Sequence, residues 1–120
     1  MAGPASEPVF TYVFAALGVA DLAPAVAWYE RLLGRAPDLL PNAREAAWQL
    51  TDTGWIYLVA GDARAGPTVV TVLVEDIDVL AAGLAVRGVA AGVESAPEGR
   101  RVTLTDPDGN TLAFAQPETS

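Results

Sequence analysis

The chain has 120 residues, of which 15 are acidic and 7 basic, with no His and no Cys, for a formal charge of −8. A length of this order holds one domain with its own core, and a composition 52% apolar and only 18% charged excludes intrinsic disorder. Without Cys or His there is no disulfide, thiolate nucleophile, His-ligated metal or side chain titrating unperturbed near pH 7. The basic residues are all Arg, and only Arg100 and Arg101 are adjacent. An acidic chain of this kind is repelled by phosphate backbones and anionic lipid, which argues against nucleic acid and membrane partners.

Met1–Pro8 has neither the basic nor the apolar segment of a signal peptide, and no apolar run approaches the ~20 residues of a membrane span, so a cytoplasmic protein is expected. Both termini read as loose ends. Val9–Val19, rich in β-branched and aromatic residues, predicts a strand. Asp21 is a helix N-cap, Pro24 sits in the first turn, and Leu22, Val26, Tyr29 and Leu33 recur at helical spacing up to Gly34. Short strands are expected at Pro37–Pro41, Glu45–Thr51 and Trp55–Ala60, with Asp52-Thr53-Gly54 turning between the last two.

Gly61–Pro67 reads as a connection, after which the order recurs. Thr68–Val74 is a strand; Asp76 or Asp78 caps a helix through Leu80, Leu84 and Val86, ended by Gly88. Val89–Glu94, Arg100–Thr105 and Thr111–Gln116 are three more strands, the last two joined by the turn Asp106-Pro107-Asp108-Gly109-Asn110. The chain therefore reads β-α-β-β-β twice: an α+β domain over 1–120, with one module at about 9–60, a linker at 61–67 and a second module at about 68–116. At an offset of 55, Leu17, Val19, Asp21 and Leu22 fall on Val72, Val74, Asp76 and Ile77, consistent with an internal duplication.

Three segments carry a family resemblance. Val19-Ala20-Asp21-Leu22 followed by Trp28-Tyr29-Glu30-Arg31-Leu32-Leu33-Gly34 resembles the first strand–helix unit of the vicinal oxygen chelate superfamily, which includes glyoxalase I, bleomycin-resistance proteins and extradiol dioxygenases. Val74-Glu75-Asp76-Ile77-Asp78 is similar to the start of its second module, and Asp106 to Phe114 to its final hairpin. The resemblance implies paired βαβββ modules whose mixed sheet curls around a cup, commonly in a homodimer. It also implies where metal-bearing members place their four ligands: Phe14 and Val69 at the His positions, Tyr57 and Ala113 at the carboxylate positions. None of the four is a His or carboxylate, so no metal or other cofactor is expected, and metal-dependent glyoxalase or dioxygenase activity is not carried over.

Strand alternation assigns the cup face. Tyr12, Phe14 and Ala16, then Trp55, Tyr57 and Val59, should face it from the first module; Val69, Thr71, Leu73, Thr111, Ala113 and Ala115 should face it from the second. Gln49, Thr51, Arg101, Thr103 and Thr105 add polar groups, while Trp28, Tyr29 and Trp48 read as core. The candidate ligand-binding set is Tyr12, Phe14, Gln49, Trp55, Tyr57, Val69, Arg101 and Ala113. Aromatic walls with few polar groups suit a flat, largely apolar or cationic small molecule, a drug-sequestering role of the bleomycin-resistance type. The alternative is a metal-independent enzyme of natural-product biosynthesis, with Tyr12, Tyr57, Arg101 or Glu45 as acid and base.

Overall fold

The computed structural model describes residues 8–61 and 66–118. The first seven residues, most of the expected connection (62–65) and the last two lie outside the described residues. The elements run β1 (Val13–Val19), α1 (Leu22–Leu33), β2 (Leu39–Asn42), β3 (Glu45–Gln49), β4 (Gly54–Ala60), β5 (Val69–Leu73), α2 (Ile77–Val86), β6 (Glu94–Ala96), β7 (Gly99–Thr105) and β8 (Thr111–Pro117). This is βαβββ repeated. Each unit makes one four-stranded mixed sheet, in the orders β1-β4-β3-β2 and β5-β8-β7-β6. In each, the first strand runs parallel to the last and the rest of the sheet is antiparallel.

Both helices start at an Asp. Asp76 caps α2, its Oδ1 accepting from the backbone N–H groups of Asp78 at 3.0 Å and Val79 at 3.3 Å. Asp21 holds the N-cap position of α1 in extended conformation, but its side chain makes no capping bond. Gly34 ends α1 at φ 79°, a left-handed conformation that favours glycine, and Arg87 packs against it there.

Two expectations are corrected. The strand foreseen at Val89–Glu94 is irregular through Val93 and begins only at Glu94, the first residue of β6. Val89, Ala91 and Val93 alternate toward the core, but on the edge of β7 away from β8 the ladder pairs only with Glu94–Ala96. The first strand begins at Val13 rather than Val9, because its first ladder partner is Gly54.

The core lies between helices and sheets. Leu17, Tyr29, Leu32, Trp48, Ile56 and Leu58 fill it in the first unit, and Ile77, Leu84, Val102, Leu112 and Phe114 in the second. Trp48 is fully buried and donates its indole N–H to the Arg35 carbonyl at 3.0 Å. Burying a large side chain of this kind stabilises by roughly 1.5–3 kcal/mol.

The two units lie side by side. The radius of gyration is 16.1 Å, against about 14 Å for a close-packed chain of this length, and the extents are 53 × 45 × 23 Å. Among the described residues the two sheets do not close on each other, and on the faces turned away from the helices Phe14, Val69 and Leu73 remain 50%, 71% and 66% exposed.

Two devices join the units. One is the Asp106–Asn110 turn: Asn110 is fully buried, donates to the Gly18 carbonyl at 2.9 Å, and accepts from the Thr68 N–H at 2.9 Å. The other is a reciprocal cap at the helix ends. The Arg87 guanidinium donates to the carbonyls of Arg31 at 2.5 Å and Leu32 at 3.0 Å, while Arg31 donates to Gly88 O at 3.0 Å. Each helix C-terminus thus receives a cation from the other, where carbonyls lack partners and the dipole is negative.

Candidate functional site: two open sheet faces

Register places the side chains turned away from the helices in rows. On the first sheet, Phe14 of β1 lies beside Trp55 of β4, which lies opposite Gln49 of β3. The next row is Ala16, Tyr57 and Ala47, and the third Gly18, Val59 and Glu45. On the second sheet the rows are Val69, Thr111 and Thr105; then Thr71, Ala113 and Thr103; then Leu73, Ala115 and Arg101.

Phe14, Trp55 and Tyr57 form one cluster. Phe14 stacks on Trp55 with ring centroids 5.4 Å apart and meets Tyr57 edge-on at 6.2 Å. Such pairs contribute about 0.5–1.5 kcal/mol beyond area burial. The cluster is only partly covered by the described residues: Phe14 remains 50% exposed, while Trp55 and Tyr57 are half-buried. Tyr12 precedes β1 with the same parity and is 58% exposed. Gln49 donates through Nε2 to the Asp52 carbonyl at 3.1 Å. The Trp55 indole N–H is buried and has no acceptor among the described residues.

The second sheet carries the other three candidates. Val69 is 71% exposed and its face-mate Leu73 66%. Ala113 is half-buried and Arg101 exposed. Arg100 is tied to Asp78 by two hydrogen bonds of 3.0 and 2.8 Å, which hold the Asp78 carboxyl below its ordinary range. Arg101 has no side-chain hydrogen bond or ion pair among the described residues and lines a hollow of about 270 Å³ with Thr71, Leu73, Gly99, Ala113 and Ala115.

A hollow of about 260 Å³ lies on the first sheet between Phe14, Leu39, Pro41, Glu45, Ala47 and Tyr57. Another of about 270 Å³ bridges the sheets between Val13, Gly54, Trp55, Val70, Thr71 and Leu73. The eight candidates therefore fall in two groups. Tyr12, Phe14, Gln49, Trp55 and Tyr57 share one face, and Val69, Arg101 and Ala113 share the other. One chain does not bring them into a closed cup.

The fold's metal positions do not fit a metal. Phe14 and Tyr57 on one sheet and Val69 and Ala113 on the other offer one phenol oxygen and otherwise hydrocarbon, where a divalent cation needs several anionic oxygen or imidazole donors. Among the described residues, no group of three or more Asp or Glu is placed to hold a metal ion. Nor, among them, is any helix long and apolar enough to cross a membrane.

Sequence reasoning missed two features. Glu45 is outside the candidate ligand-binding set, yet the register sets it on the aromatic face. Tyr29 was read as simple core, yet its hydroxyl reaches Asp106 of the second unit. The alternation of β3 signalled the first; nothing local signals the second.

Paired βαβββ units with open, apolar sheet faces in place of a ligand set define a vicinal-oxygen-chelate fold. Comparison with known proteins agrees. A glyoxalase/bleomycin resistance protein from Catenulispora acidiphila is 38% identical, with a TM-score of 0.84 over 90% of this chain and 99% of that one. The chain belongs to the glyoxalase/bleomycin resistance protein superfamily. TnmS3, an antibiotic binding protein from Streptomyces sp. CB03234, is 26% identical with a TM-score of 0.71, over 93% of this chain and 99% of that one. A bleomycin-binding protein solved with bleomycin shares the fold, at 21% identity and a TM-score of 0.67, over 88% of this chain and 98% of that one. No family profile and no curated protein matches the chain.

Proposed function

We propose that this protein binds and sequesters a largely apolar, planar aromatic small molecule of natural-product or antibiotic type, in the cytoplasm, without metal and without turnover. The observation that carries the reading is the Phe14–Trp55–Tyr57 cluster. Three aromatic rings meet on a sheet face that the described residues leave partly open, with Phe14 50% exposed. Open aromatic surface of this kind gains most by accepting a flat apolar partner. The antibiotic-binding and bleomycin-binding neighbours support it.

In this reading two copies pair so that the aromatic face of one chain looks across at the small-residue face of the other, closing the cup. The flat shape of one chain and the exposure of Phe14, Val69 and Leu73 support such a homodimer. Gln49, Arg101 and the threonines of β5 and β7 then orient the ligand.

Tryptophan fluorescence titration against a panel of planar aromatic antibiotics tests the reading. Saturable quenching with a Kd below about 100 μM is expected for at least one compound. A panel in which none saturates overturns it.

A further inference from the structure

Among the described residues, the aromatic face carries one carboxylate. Glu45 opens β3, lies in the row next to Tyr57 on the same face, and is half-buried. It lines the hollow that also holds Phe14 and Tyr57, and a second hollow of about 260 Å³ with Tyr57, Asn42, Arg44 and Val59. Cross-strand diagonal neighbours are within reach of long side chains, at about 7–8 Å between backbones.

Among the described residues, no cation pairs with this carboxylate. The ion pairs among the described residues are Arg35–Asp38 and Arg100–Asp78, and neither involves Glu45. The adjacent Arg44 is committed elsewhere, its Nε and Nη2 both donating to the Ala60 carbonyl, at 3.1 and 2.7 Å. A carboxylate drawn partly out of water onto an apolar face is costly unless something pairs with it. Here the charge shares a hollow with the Phe14 and Tyr57 rings, and aromatic faces also attract cations. The chain's charge of −8 acts in the same direction, raising the local concentration of cations around it.

We propose that Glu45 is a specificity residue for a cationic group, so that the ligand is a planar aromatic body bearing an amine. The flat body lies against Phe14 and Trp55, and the ammonium sits between the Glu45 carboxylate and the Tyr57 ring. This deepens the reading above and rests on it: the aromatic face supplies affinity for the ring system, and Glu45 supplies selection among ring systems.

A matched pair of probes separates the two ideas. They are an anthraquinone carrying a propylammonium chain and its N-acetylated counterpart, titrated calorimetrically into the full chain and into Glu45→Gln. The full chain is expected to bind the ammonium probe about tenfold tighter, as a charge-assisted contact aided by the ring faces would give. Glu45→Gln is expected to erase that preference and leave affinity for the acetylated probe unchanged. Equal binding of both probes by the full chain, or a preference that survives Glu45→Gln, overturns the role of Glu45 and leaves the aromatic reading standing. If the full chain binds neither probe, both readings fall.

Discussion

The Tyr29 hydroxyl donates a 2.5 Å hydrogen bond to the Asp106 carboxylate, joining the helix of the first βαβββ unit to the final turn of the second. Asp106 is buried and also accepts from the backbone N–H groups of Asp108 and Asn110 and from the Asn110 side chain, at 2.8–2.9 Å. Its charge is therefore compensated by four donors, and one of them spans the two units. Burial pushes the Tyr29 phenol well above its ordinary value of 10.0, and the hydrogen bond to Asp106 adds to the effect.

Tyr29→Phe is expected to cost about 1.5–3 kcal/mol, the usual worth of a hydrogen bond to a charged group, read as a lower urea midpoint at unchanged slope. The pH dependence follows from the raised phenol. In the unfolded chain Tyr29 ionises near pH 10, while the fold holds it neutral. Its contribution is therefore full below about pH 10 and lost as pH rises above it. Denaturation series at pH 8 and 11 should show that alkaline loss in the native sequence and a smaller one in Tyr29→Phe.

Arg87→Ala should destabilise by about 1–2 kcal/mol, because it removes donors from the last carbonyls of α1 and a cation from its C-terminus. Arg87→Lys should recover less than half of this loss, since one ammonium cannot reproduce a planar fork addressing two carbonyls. Thermal melts of the three proteins measure both effects. A full rescue by Lys would show that charge alone matters.

Much of this architecture is legible in the sequence, for definite reasons. Gly34, Gly88, Asp76 and the Asp106–Asn110 turn are local signals, and each punctuates the chain where local chemistry demands. Period-two alternation put Phe14, Trp55 and Tyr57 on one face and Trp48 on the other. Alternation reports burial and not pairing, which is why Val89–Glu94 looked like a strand. Contacts between units leave no such trace. Tyr29 and Asp106 stand 77 positions apart, and Arg87 and Leu32 stand 55 apart, and no periodicity links them. The two-group layout of the candidate site was equally hidden, because it depends on how two sheets sit rather than on either one.

If a second copy covers the sheet faces, a charge placed there must prevent it. Leu73, on the second sheet and 66% exposed, is the position to choose, because Leu73→Glu should leave the core intact. Sedimentation velocity is expected to show a dimer for the native sequence and a monomer for the variant, with the unfolding midpoint of the monomeric unit little changed. Identical sedimentation of the two proteins would contradict the proposed pairing.

The central claim is that the Phe14–Trp55–Tyr57 face holds a flat aromatic ligand, and the three tryptophans report on it separately. Trp48 is buried against the helix side with its indole bonded to Arg35, and Trp28 packs on Tyr29, whereas Trp55 lies on the open face. The most direct measurement is the ¹H–¹⁵N spectrum of the three indole N–H groups during titration with a planar aromatic compound that quenches fluorescence. A large shift of the Trp55 signal, with Trp28 and Trp48 nearly still, is the predicted result. A Trp55 signal that stays in place while binding saturates, or shifts confined to Trp28 and Trp48, would contradict the account.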